Sequence, residues 1–317
     1  MRYAALLLCL ALAACSPAPV SEAPRNALPM RVTEPTFVSL NPCTDAILVE
    51  VADPAQILAL SHYSRDAGSS SMNLATARRF ASSGGTVEEV LALRPDVTVS
   101  GNFNSPATVS AMDRLGLRLV QLPIASTVAA SLAQVRSLAR LAGHPDRGEA
   151  LVARIETALV RAAPIPGSRP VSAIVWQSGG MVPGANTLIA ELMGRAGFAN
   201  LSAARGLKQA DILPLEAMLA DPPALILAAG NPRSNEDRLL DHRALGALDG
   251  TRRVPFEPSL LWCGGPTIIR ALERLAEVRR GQTHRPSDSG DRWPYDPDLE
   301  STRPAVTGHA RIDGGMR

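Results

Sequence analysis

The sequence predicts an α/β protein of two Rossmann-like lobes, each with a central, largely parallel sheet, joined by a single long helix. Three observations carry this. Short β-rich runs alternate with helical runs on both sides of the middle of the chain, and that alternation marks parallel strands with helices on their faces. The middle itself, from about Thr127 to Ala163, holds two helical patterns in tandem. At 317 residues the chain is also long enough for two cores. Composition agrees: 46% hydrophobic and 20% charged is globular, and a formal net charge of +2 supplies no basic field for nucleic acid.

The first residues are not fold. Arg2 supplies a positive charge, Ala4 to Leu12 is a short apolar run, and Leu12-Ala13-Ala14-Cys15 follows. The run is too short to span a bilayer and reads as a secretory signal. Small residues before Cys15, and Ser16 after it, fit a bacterial lipobox. Residues 1–15 then read as a lipoprotein signal peptide, with Cys15 the lipidated residue that anchors an exported protein to a membrane; the alternative is an ordinary signal peptide with an incidental Cys. Residues 16–36, rich in Pro, Ala and Glu, read as a flexible tether. With Cys9 removed and Cys15 acylated, Cys43 and Cys263 remain, in an oxidising compartment.

Residues 37–143 form the first lobe. Phe37 to Leu40 is a strand closed by Asn41-Pro42, and Thr44 or Asp45 can cap the helix carrying Ile47, Leu48 and Val51. Ile57 to Leu60 is a second strand, followed by the polar loop Ser61-His62-Tyr63-Ser64-Arg65-Asp66. Ser82 to Gly85 reads as a turn. Thr86 and Glu89 make a capping box before Val90 to Leu93, which Arg94-Pro95-Asp96 breaks. Val97 to Ser100 is a strand, Asn102 to Pro106 a loop, Ala107 to Leu115 a helix and Leu117 to Leu122 a strand. Val128, Leu132, Val135, Leu138 and Ala142 then stripe a helix that stops at Gly143, with Pro145 beyond.

Residues 144–166 are the linking helix, roughly 25 Å long and stiff. Asp146 opens it with Glu149 three residues on, and Leu151, Ile155 and Leu159 stripe one face. The second lobe, 167–280, repeats the layout. Val171 to Trp176 is a strand, Gln177 to Asn186 a glycine-rich loop, Leu188 to Ala196 a helix and Gly197 to Asn200 a turn. Leu213 to Ala220 is helical, Ala224 to Ala229 and Arg253 to Phe256 are strands, and Thr267 to Val278 is the last helix. Residues 281–317 carry no periodic apolar run and read as a disordered tail.

In sheets of this kind ligands bind outside the carboxyl ends of the strands. The loops there hold Tyr63 and Trp262, with Trp176 at a strand end, and few groups able to do acid–base chemistry: His62, Tyr63 and Asp66. The chain has no Gly-x-Ser-x-Gly elbow, phosphate loop, dinucleotide fingerprint or zinc-type spacing. It therefore offers no catalytic set, no resident cofactor and no metal site, and an exported enzyme on this scaffold would have only His62 as a cleft base. His62 is either solvated or a metal ligand. Gly264-Gly265, before a helix, is either a plain turn or a seat for an anion.

The chain resembles a substrate-binding protein of the helical-backbone type (class III), which serves ABC importers for vitamin B12, haem and ferric siderophores. The resemblance covers about Arg31 to Arg280. It rests on Val38-Ser39-Leu40-Asn41-Pro42 with Thr44-Asp45, on Gly84-Gly85-Thr86-Val87-Glu88-Glu89-Val90-Leu91-Ala92-Leu93-Arg94-Pro95-Asp96, on the strut, and on Gly264-Gly265-Pro266-Thr267. The loop at 61–66 is most similar to the one that, in B12-binding members, sets a Tyr against the corrin.

The resemblance implies a cleft between the lobes that takes a corrinoid, with haem or a ferric siderophore as alternatives. Asn41, Pro42, Cys43, His62, Tyr63, Trp176, Trp262, Cys263 and Gly264 would bind it, with Tyr63 or His62 on iron in the haem case; the other reading of the two Trp residues, open above all for Trp176 at a strand end, is core. A monomer would deliver the ligand to a permease and ATPase complex, docking through Glu88 in the first lobe and Glu216 at the equivalent place in the second. Two departures stand out. Members commonly carry Glu where Asp45 stands, and the cleft loops lack the basic cluster expected of a hydroxamate or catecholate pocket. Cys43 and Cys263 are not general family features, but the family layout puts their loops on opposite sides of one cleft. Three readings stay open: a disulfide stapling the lobes, contact with the ligand or a soft metal, or two inert buried thiols.

Overall fold

The computed structural model describes residues 34–230, 240 and 242–283. The signal peptide with Cys15, most of the tether, the loop after Gly230 and the tail from 284 lie outside the described residues.

The first lobe runs β1 (Phe37–Ser39), α1 (Pro42–Val51), β2 (Ile57–Ser61), α2 (Leu74–Ala77), β3 (Ser82–Ser83), α3 (Val87–Leu93), β4 (Val97–Gly101), α4 (Pro106–Arg114) and β5 (Leu119–Leu122). Its sheet has the order β3-β2-β1-β4-β5, with every pairing parallel. Such a sheet is covered on both faces, so its strands read as short continuous apolar runs. Three local readings change. Asn41, not Thr44 or Asp45, caps α1: its side-chain oxygen accepts the Cys43 N–H at 2.8 Å. Pro42 fits the first helical position because its missing N–H would be an orphan there anyway. Ser82-Ser83 is a short edge strand rather than a turn, and α2 is an extra helical turn capped by Asn73.

The helical middle is α5 (Val128–Leu141) and α6 (Pro145–Ala162). α6 starts one residue before Asp146, at Pro145, and Glu149 does not close a capping box. It reaches Arg136 on α5 instead, at 2.8 Å. Leu151, Val152, Ile155, Ala158 and Ala162 are its buried face, against α1, α5 and α11. Gly148 lets α5 and α6 close up, since a Cβ there would collide with Ala139.

The second lobe runs β6 (Val171–Gln177), β7 (Met181–Pro183), α7 (Leu188–Arg195), β8 (Phe198–Asn200), α8 (Leu201–Ala204), β9 (Ala210–Ile212), α9 (Leu215–Ala220), β10 (Leu225–Ala229), α10 (Arg243–Gly246), β11 (Arg252–Pro255) and α11 (Thr267–Thr283). Strands β11-β10-β6-β8 form a parallel sheet, and β7 pairs with β9 as an antiparallel ribbon. Strands β7 and β8 occupy stretches that read as loop and turn. Helix α11 continues to Thr283, three residues into the stretch that reads as tail.

The two lobes share one core. A single cluster of buried side chains runs from Phe37 and Leu48 through Val135, Leu151 and Ile155 to Val175, Leu227 and Leu272. Polar ties reinforce it. The Glu191 carboxylate on α7 accepts the Val128 N–H at the start of α5 at 2.8 Å, an anion at a helix N-terminus. The Ser71 carbonyl accepts from Arg270 at 3.1 Å and from the Thr267 hydroxyl at 3.3 Å.

Candidate ligand cleft

The carboxyl ends of β1, β4 and β5 face those of β6 and β11 across a cavity of about 510 Å³. A second cavity of about 540 Å³ lies beside it, lined by Tyr63, Gly68, Ser69 and Asn104. Asn41, Pro42, Gly101, Phe103 and Trp262 line both and form their common wall. The larger polar groups of the first cavity are amides: Asn41, Asn102, Gln134, Gln177, Asn186 and Gln209. Among the described residues, no charged side chain lines either cavity.

Tyr63 is set by a buried carboxyl group. Asp45, in the first turn of α1, is fully buried, and its Oδ2 accepts the Ser64 hydroxyl at 2.6 Å and the Ser61 N–H at 3.0 Å. Ser61 caps the 3₁₀ turn His62–Arg65 that carries Tyr63, and Ser64 lies within it. Burial pushes the Asp45 carboxyl up to about 8, against the opposing pull of its hydrogen bonds from Ser39, Ser64 and Ser61. Tyr63 remains 49% exposed at the second cavity, its ring 4.0 Å from that of His62. His62 lines neither cavity, and its Nδ1 lies 3.3 Å from the Ser83 carbonyl.

On the other side, Trp262 is 51% exposed between the cavities. Its neighbour Cys263 is bonded to Cys43, with Cα atoms 5.0 Å apart, so a covalent bridge joins the start of α1 to the loop after β11. Cys43 lines the first cavity, whereas Cys263 is buried behind it. Gly264 lines the cavity because the loop packs directly on α5: a Cβ there would collide with the Ser131 hydroxyl. Ser131 Oγ also takes the Gly265 N–H at 2.7 Å, so that donor is used inside the fold rather than held out to an anion.

Trp176 is a correction. It is fully buried in the satellite core with Ile174, Val182, Met218 and Ile226 and lines neither cavity. Strand side chains alternate, and the next residue, Gln177, is the one that reaches the cavity. Phe103 and Ile124, in the loops after β4 and β5, line the cavity and escaped the sequence reading. The available signal was a large apolar residue in the first few positions after a strand.

One group outside the cleft has donors that could hold a metal. Glu34, Asp53 and His144 meet at the entry to α6, with His144 Nε2 3.2 Å from Glu34 and 3.4 Å from Asp53. Asp53 also pairs with Arg147 at 2.7 Å, and His144 Nε2 meets the Gln56 side-chain oxygen at 3.0 Å. The group satisfies itself and ties the α5–α6 corner to the start of the first lobe.

Residues 37–252 match the model of a protein family described as periplasmic binding protein. The chain belongs to that family. A sequence comparison with curated proteins finds no match. Solved structures of other periplasmic binding proteins share the fold of this one. The heme-binding protein RhuT from Roseiflexus sp. RS-1, in apo form, has a TM-score of 0.64 at 19% identity, covering 79% of this chain and 100% of that one. The heme-binding protein HutB of Vibrio cholerae gives 0.64 at 16%, covering 77% and 98%. The vitamin B12 binding protein BtuF of Vibrio cholerae gives 0.61 at 16%, covering 78% and 98%. Heme binding is named for several neighbours and vitamin B12 binding for BtuF. At these identities the likeness shows the fold alone, so a ligand for this periplasmic binding protein must be argued from its own lining. Glu88 and Glu216 are exposed on it, each in the first turn of a short helix, α3 and α9, that leads through a proline into a parallel strand.

Proposed function

We propose that this periplasmic binding protein captures a cobalamin-type corrinoid between its lobes and hands it, as a monomer, to an ABC permease. The observation that carries the ligand class is the lining: amides, hydroxyls and apolar side chains, with no charged side chain among the described residues that line it. A corrin ring is fringed with carboxamides, which pair with Asn and Gln side chains at little cost. Haem carries two carboxylates and ferric siderophores carry several anionic oxygens. Burying such groups without a cationic partner costs several kcal/mol. The two joined cavities, of about 510 and 540 Å³, suit a large rigid macrocycle.

The test is a titration of the mature protein with cyanocobalamin and with hemin, followed by absorbance and tryptophan fluorescence. Cyanocobalamin should bind at least about tenfold tighter, a gap of roughly 1.4 kcal/mol. Tighter hemin binding, with a Soret band lost in Tyr63→Phe or His62→Ala, would make this a haem carrier instead.

The remaining assignments are part of the same proposal. Residues 37–143 and 167–280 are the two lobes, with 144–166 as their link. Cys15 carries a lipid, so Cys15→Ala should move the protein from the membrane fraction to the soluble one. Glu88 and Glu216 meet cationic side chains of the permease, one per lobe. Replacing both by Ala should leave ligand affinity intact and abolish uptake; normal uptake by the double variant would remove them from the docking surface.

A further inference from the structure

The bridge and the common wall of the two cavities are one construction. Of the five residues lining both cavities, Asn41, Pro42 and Trp262 stand within two positions of a bridged cysteine. We infer that the Cys43–Cys263 bridge is a positioning element of the ligand site: it fixes Trp262 between the two cavities, and so sets the affinity of the cleft. This rests on reading the cleft as the ligand site.

The loop that carries Trp262 is anchored on both sides of it. Upstream, the Leu261 N–H bonds the Pro258 carbonyl at 3.0 Å, and Leu260 is buried. Downstream, the Gly265 N–H bonds Ser131 at 2.7 Å. Trp262 and Cys263 lie between these anchors, where the bridge ties the loop to the first lobe. The other end of the bridge is the second residue of α1, next to Asn41 and Pro42, whose cap and fixed φ hold them still. A half-exposed indole on an untied loop would have to be ordered by the ligand, and that ordering subtracts from affinity. An indole already held in place spares the cost.

Two measurements test this. In the first, protein labelled with 5-fluorotryptophan is compared by ¹⁹F NMR with its Cys43→Ser/Cys263→Ser variant, without ligand, the Trp262 resonance being assigned from Trp262→Phe. The Trp262 line should shift and broaden while the Trp176 line stays. An unchanged Trp262 line overturns the inference. If the variant does not fold, the same spectra are taken on wild-type protein before and after dithiothreitol. In the second, cyanocobalamin affinity is measured for wild type, the bridge-free variant, Trp262→Ala and the combination. Losing the bridge should weaken binding about fivefold or more, and Trp262→Ala should then cost less than about twofold further. Additive losses would show that the bridge acts elsewhere. Absence of cyanocobalamin binding in every protein would overturn the corrinoid reading alone, because the ¹⁹F measurement needs no ligand.

Discussion

The cleft and the groove on the outside of the link are similar in size and opposite in chemistry. The groove, between α6 and α11, measures about 640 Å³ and presents Arg154, Arg161, Glu273 and Arg280 around a floor of alanines, Ile269 and Leu272. Its charges are of the ordinary surface kind, and Arg154 already pairs with Glu50 at 2.6 Å. The cleft leaves Tyr63, Phe103, Ile124 and Trp262 exposed, with no charge among them. Volume therefore does not single out the cleft. What marks it is apolar and amide surface left open to solvent where a chain that is 20% charged could have placed ions.

Moving charge into the cleft should break this contrast most severely. Gln177→Glu keeps the shape and adds a buried carboxylate, so cyanocobalamin affinity should fall about a hundredfold, or roughly 2.7 kcal/mol. Thr157→Glu, the same charge in the outer groove, should change it by less than about twofold. Calorimetric titration of the two variants side by side reads the difference directly. Next in size is the aromatic wall: Trp262→Ala should weaken binding about tenfold, with Tyr63→Ala also weaker and Arg161→Ala unchanged. Equal effects in cleft and groove would erase the distinction.

Smaller, and specific in sign, is the effect of Asp45. In the fold its carboxyl stays protonated up to about pH 8, whereas its ordinary value is 3.8. Between those values the unfolded chain releases this proton and the folded one keeps it, so stability from this group is highest near pH 4 and is lost toward pH 8. Asp45→Asn removes the slope, and its urea midpoint should gain on the wild type as pH rises from 4.5 to 7.5. A constant difference across that window would mean that Asp45 is ionised in the fold. The smallest effect on binding belongs to Trp176→Phe, which should change affinity by less than about twofold while lowering the unfolding midpoint, since it trims a filled core.

Most of the architecture was legible because parallel strands covered on both faces are short continuous apolar runs. Val97 to Ser100 and Leu225 to Ala229 are of this kind. The ribbon β7–β9 was not legible: two three-residue strands hold too few positions to show a period. The start of α6 was misplaced because Asp146 and Glu149 fit a capping box locally, while Pro145 and a partner on α5 decided the matter. Asn41, Pro42, Tyr63 and Trp262 line the cavities, as their loop positions lead one to expect. The error at Trp176 came from weighing residue type above parity. Ile174 and Trp176 share one face of β6, and Ala173 and Val175 pack into the core on the other, so counting by twos from the apolar run would have buried the indole.

The shared core determines what can be inherited or engineered as a unit. A chain severed at α6 would leave Leu151 and Ile155 bare on one fragment and Leu272 and Leu275 bare on the other, because each half supplies the other's inner wall. Neither half is a module that recombination could pass to another protein intact. Heating should accordingly give one calorimetric transition, with no separate melting of the halves. A new ligand preference would have to be built in the loops at the strand ends, on a frame kept whole.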